Sequence, residues 1–103
     1  MTDIFIKQDA LKEIRSIIKK IYPKAVVLAY GSRVGGDAHD GSDLDLVVKD
    51  FGQENGCIFE LKDSLMESNV PFLIDIFEFD RLPESFQKEI EKKHIVIYDG
   101  EAF

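Results

Sequence analysis

Two short apolar runs, residues 25–30 and 43–49, stand on either side of a polar, glycine-rich stretch, and this pairing constrains the chain more than any other feature. The first is rich in valine and stops at Gly31; the second resumes at Asp43 with valine and leucine. Runs of this length and residue type, bounded by turn residues, read as strands. The stretch between them, residues 32–42 with Gly35, Gly36 and Gly41, reads as a loop.

The rest of the chain supplies what such strands need to pack against. Leu11, Ile14, Ile18 and Ile21 recur at three- and four-residue spacing with Ile17 beside them, which predicts an amphipathic helix over 9–21, with Asp9 as N-cap and Pro23 as stop. Residues 50–56 read as a loop. Ile58, Leu61 and Leu65 mark the stripe of a second helix ending near Ser68 or Asn69. Pro71 opens a strand over 72–79, Pro83 suits the first turn of a third helix, and 94–98 make a closing strand. The order is α-β-β-α-β-α-β. No fixed-period repeat or low-complexity segment interrupts it, so a single α/β layer domain over 1–103 is expected.

Charge and cysteine content narrow the function classes. A formal net charge of −7 repels phosphate backbones and anionic membranes, so neither direct nucleic-acid binding nor membrane binding is expected. The lone cysteine, Cys57, excludes an internal disulfide framework and any Cys/His zinc pattern, as a reducing compartment permits, and the first residues lack the basic and apolar regions of a leader. A soluble cytoplasmic protein is the expectation. A domain of 103 residues leaves much apolar surface near solvent, where a partner could cover it.

Three carboxylates carry the chemistry. In the strand beginning at Asp43, a period of two places Asp43 and Asp45 on one face and Leu44 and Leu46 on the other. Two like charges that close are unfavourable unless a cation lies between them, and magnesium prefers such oxygen ligands. Asp75 has apolar neighbours on both sides, so its strand is expected to be buried on both faces. An isolated carboxylate there would cost several kcal/mol, and a cation shared with Asp43 and Asp45 is the economical partner. One or two metal ions among three carboxylates meet the needs of phosphoryl transfer. The plainer alternatives are a solvated strand end for the first pair and, for Asp75, a buried ion pair or a hydrogen-bonded core aspartate.

Before the loop, Gly31 lets a backbone approach a ligand closely, Ser32 can donate to a phosphate oxygen, and Arg33 adds positive charge. Gly-Ser also occurs in ordinary turns, and neither a Walker A loop nor a GxGxxG fingerprint is present.

Taken together, Gly31-Ser32, the ten residues 33–42, and Asp43-Leu44-Asp45 resemble the signature of the minimal nucleotidyltransferase family, within the polymerase-beta-like superfamily. The apolar strand before Gly31, Ser42 before the first aspartate and Leu46 after the second fit the resemblance, and Asp75 matches the family's third aspartate in a later apolar strand. The resemblance implies a mixed β-sheet with helices packed against it. It also implies Gly31 and Ser32 at the triphosphate of ATP or another nucleoside triphosphate, Arg33 and Ser42 in support, and Asp43, Asp45 and Asp75 holding Mg2+. The loop departs from the common family wording, with His39, Asp40 and Gly41 where a basic residue, a proline and a polar residue are frequent. His39 has the ordinary expectation of a solvated loop histidine. Tyr22 and Tyr30 are expected to be packing residues.

Short members of this family are typically paired with a helical HEPN-domain protein as toxin and antitoxin, and some transfer AMP to a tyrosine of that toxin. The resemblance therefore implies an adenylyltransferase antitoxin with a HEPN partner supplying the acceptor. The alternatives are a non-catalytic nucleotide-binding antitoxin that neutralises by covering its partner, and transfer to a small molecule in a pocket completed by a second subunit.

Overall fold

The computed structural model describes residues 8–31, 43–70 and 72–100. Among them the chain forms α1 (Gln8–Ile21), β1 (Val26–Tyr30), β2 (Leu44–Asp50), α2 (Ile58–Met66), β3 (Ile74–Glu78), a 3-10 turn (Phe79–Arg81), α3 (Glu84–Lys92) and β4 (Ile95–Asp99). The order is the one the apolar patterns predict. Element ends differ by small amounts with local causes. α2 stops at Met66, but Glu67 N–H donates to Asp63 O and Ser68 N–H to Leu65 O, so the turn is tied off where the apolar stripe suggested an end. Pro83 is the N-cap of α3 rather than a first-turn residue, its carbonyl accepting from Gln87 N–H at 3.0 Å. β3 is shorter than 72–79, because Phe79 already turns into the 3-10 segment.

The strands form a mixed sheet in the order β3-β2-β1-β4. β1 pairs antiparallel with both β2 and β4, whereas β2 and β3 run parallel, with α2 in the connection between them. A parallel pair needs such a crossover, since no tight turn can reverse the chain twice.

One face of the sheet is covered by α1 and α2. Leu11, Ile14 and Ile18 of α1 and Leu61 and Leu65 of α2 pack with Val27, Ala29, Leu44, Leu46, Val48, Ile74 and Ile76 of the strands. The three- and four-residue spacing of the helices meets the two-residue spacing of the strands, which is why this face is dry. Tyr22 locks the end of α1 to the start of α2. Its hydroxyl accepts from Cys57 N–H at 2.6 Å and donates to Cys57 O, and its ring meets Phe51 edge-on at 5.0 Å. The opposite face carries a smaller cluster, in which Ile90 of α3 and Phe79 pack with Leu28, Tyr30 and Val47. Among the described residues no helix is long and apolar enough to cross a membrane.

Candidate active site

The hairpin register and the parallel pairing together build the site. Tyr30 at the end of β1 is the partner of Asp45 in β2, and Asp45 is the partner of Asp75 in β3. Directly paired residues project from the same face of a sheet, so these three side chains form a row across three strands on the face opposite α1 and α2. Asp43 lies two residues before Asp45 at the mouth of β2 and is exposed, so strand alternation puts it on the same side. Leu44 and Leu46 are fully buried on the other face, as the alternation predicts.

Gly31 closes the arrangement. Its φ is +84°, in the left-handed region that favours glycine, and a Cβ built there would lie 2.5 Å from Asp45 Oδ2. Any side chain would collide with the carboxylate or strain the backbone, so glycine lets the chain pass directly beside Asp45. The close approach is therefore to a carboxylate of the row.

The electrostatics follow from the row. Burial raises the pKa of Asp45, with the charges of Asp75 and then Asp43 adding to the effect. The Tyr30 phenol is pushed up to about 12, first by burial and then by Asp45 and Asp75. The pairing of Tyr30 was not visible in the sequence, where it read only as a packing residue. It does pack, meeting Phe86 edge-on with ring centroids 5.8 Å apart, but its register also sets it beside the aspartates. Knowing the β1/β2 register is the signal that would have found it.

Asp75 corrects one expectation. Its strand is not buried on both faces: Ile74 and Ile76 face the core, but Asp75 is exposed, as are Leu73 before it and Phe77 after it. β3 is the edge of the sheet, and the cluster around α3 gathers over β1 and β2, which leaves the second face of β3 open. The desolvation cost expected for Asp75 therefore does not arise, and it is tied to Asp45 by the register and by the repulsion of its charge. Among the described residues no lysine or arginine forms an ion pair with Asp43, Asp45 or Asp75, so the alternative of a buried pair finds no support. Ser32, Arg33, Ser42 and His39 lie outside the described residues.

Among the described residues no three acidic, histidine or cysteine side chains stand as a ready-made metal cluster. The carboxylates share a face, a row and a field rather than a closed cage. That donor set nevertheless fits magnesium, a hard ion that keeps several waters and is usually held by one or two carboxylates together with substrate phosphates.

A mixed sheet with α1 and α2 on one face, and α3 beside a carboxylate row and a glycine turn on the other, is the framework of a nucleotidyltransferase. Residues 12–102 match the family model described as Polymerase beta, Nucleotidyltransferase, and the chain belongs to that family; it is a nucleotidyltransferase. It is 33% identical over 101 residues to a Haemophilus influenzae protein named probable protein adenylyltransferase MntA, covering 93% of this chain and 85% of the relative. The fold is also that of two solved toxin–antitoxin structures. One, with AMP-PNP, matches with a TM-score of 0.64 at 18% identity over 86% of this chain and 73% of its own. The other, of MntA-HepT, matches with a TM-score of 0.64 at 14% identity over 93% and 75%.

Proposed function

We propose that this chain is a magnesium-dependent protein adenylyltransferase that moves AMP from ATP to a tyrosine hydroxyl of a partner HEPN toxin and so acts as its antitoxin. The observation that carries this is the row Asp45–Asp75 on the sheet face opposite α1 and α2, beside Gly31, in a chain a third identical to a probable protein adenylyltransferase. The likeness in fold to toxin–antitoxin assemblies, one of them with AMP-PNP, supports both the nucleotide and the kind of partner.

In this reading Gly31 and Ser32 seat the triphosphate, with Arg33 and Ser42 supporting it. Asp43 and Asp45 would hold magnesium, with Asp75 completing the oxygen ligands from the next strand. Bound there, the ion would offset charge on the triphosphate and on the departing pyrophosphate. The acceptor oxygen attacks the α-phosphorus, the new P–O bond forms as the bond to the β-phosphate oxygen breaks, and pyrophosphate leaves with that electron pair. The hydroxyl proton passes to the carboxylate side of the site, where Asp75 is the most open acceptor in the row. Burial, then Asp45 and Asp75, push the Tyr30 phenol up to about 12, so it stands protonated beside the carboxylates.

The test is the intact mass of the partner toxin after co-expression with the wild-type chain or with Asp43→Asn/Asp45→Asn. Added AMP with the wild type alone is the expected result. An unmodified partner held equally by both would replace this reading with neutralisation by binding.

A further inference from the structure

We propose that the open face of β3, with Leu73 and Phe77 on either side of Asp75, is the docking surface for the acceptor segment of the partner polypeptide; this rests on the protein-adenylylating role above. An uncovered strand face is ordinarily polar. Here Leu73 is 71% exposed and Phe77 44% exposed, both in the alternation that carries Asp75 and opposite the buried Ile74 and Ile76. Exposed large apolar side chains grouped around a reactive group are the informative kind, because they mark surface that another molecule covers.

The geometry selects the occupant. Positions two residues before and two after Asp75 define a strip about 13 Å long at strand rise, the reach of a short extended peptide and more than a single hydroxyl compound spans. Exposures of this size describe an open surface, unlike the concave pockets that enclose small ligands. Among the described residues β3 is also the edge strand of the sheet, where an extended segment can add alongside it. Charge narrows the choice further. The strip is centred on an acidic row in a chain of net charge −7, which disfavours an acidic acceptor segment, while Leu73 and Phe77 favour apolar residues on both sides of the acceptor hydroxyl. The occupant is therefore an uncharged or cationic polypeptide segment presenting its hydroxyl at the centre of an apolar stretch.

A second exposed apolar pair provides the comparison. Phe59 and Met66, 65% and 70% exposed, lie seven residues apart on α2, whose buried side chains belong to the opposite face of the sheet. They are equally accessible but remote from the row.

The experiment follows the rate of AMP transfer to the partner toxin against toxin concentration, using the full chain with ATP and magnesium, for wild type, Leu73→Ser/Phe77→Ser and Phe59→Ser/Met66→Ser. All four positions are exposed, and AMP-PNP affinity for each variant reports that fold and nucleotide site are intact. The β3 pair should raise KM for the toxin about tenfold or more, as expected from losing two apolar contacts, with kcat little changed. The α2 pair should leave KM where it is. Normal AMP-PNP binding with unchanged KM in the β3 pair overturns the docking surface, as does a rise in KM confined to the α2 pair. Failure of the wild type to transfer AMP would instead overturn the adenylyltransferase reading itself.

Discussion

The two faces of the sheet are built from strands of similar composition but are finished in opposite ways. On one, α1 and α2 seal Leu44, Leu46, Ile74 and Ile76 from water. On the other, the cluster around Ile90 gathers over β1 and β2, and the same strands present Asp45, Asp75 and Phe77 instead. The difference teaches that a small domain can seal one face of a sheet in apolar packing and leave carboxylates on part of the other, with neighbouring residues of one strand serving opposite faces. Asp45 stands between Leu44 and Leu46, so one step along β2 crosses from one face to the other.

That division can be broken most severely from the chemical side. Asp43→Asn/Asp45→Asn should lower AMP transfer by about three orders of magnitude or more, since removing charge that organises a metal and triphosphate is among the most costly changes to a phosphoryl-transfer site. Circular dichroism and thermal melting should show the fold unharmed. A large loss of fold in this variant would mean that the two faces are not separable.

From the other side, Leu46→Ala should cost about 2–5 kcal/mol of stability in chemical denaturation, because it opens a cavity in the sealed face. Leu73→Ser, on the open face, should fall within about 0.5 kcal/mol of wild type, as substitutions at exposed positions usually do. Equal costs for the two would erase the contrast between the faces.

How much of this could be read in advance depends on which interaction decides each feature. Helices and strands were legible because their patterns are local: the stripe Leu11, Ile14, Ile18 and the alternation of Leu44 and Leu46 each point to one burial mode. The spacing from Gly31-Ser32 to Asp43 and Asp45 is likewise contained in one stretch of chain. What could not be read is set by partners distant in sequence. The register that joins Tyr30, Asp45 and Asp75 exists only once β1, β2 and β3 are paired. The exposure of Asp75 is set in the same way. Leu73, Ile74, Ile76 and Phe77 describe an apolar strand, but only the sheet order makes it an edge with one uncovered face. Apolar composition signals burial, whether by the chain's own core or by a partner, and β3 has one face for each.

Gly31 passes directly beside Asp45, and Gly31→Ala sharpens the contrast at intermediate cost. The positive φ penalises any L-residue by about 1 kcal/mol, and the new methyl would press on Asp45 Oδ2. Transfer should fall by about tenfold to a hundredfold, since small displacements of a positioned group are amplified in rate, while the melting temperature drops only modestly. A variant with normal kcat would show that the close passage beside Asp45 is structural and not part of the site.

The smallest effect has the opposite sign. Because burial, Asp75 and Asp43 raise the pKa of Asp45 in the folded chain, its charged form opposes folding. A carboxyl with a raised folded-state pKa contributes its stabilisation in full below the unfolded value of 3.8 and loses it as pH rises through the folded value. At neutral pH, then, the ionised Asp45 is a cost to the metal-free protein. Asp45→Asn should melt slightly higher than wild type in chelator at pH 7, and the gap should close as the pH is lowered toward the carboxylate range. Added magnesium and AMP-PNP should stabilise the wild type and do little for the variant, reversing the ranking by mass action. Wild type melting higher than Asp45→Asn at neutral pH in chelator would mean that Asp45 supports the fold as the buried leucines on either side of it do, and the assignment of opposite tasks to alternate residues of β2 would fail at the position where it is drawn most sharply.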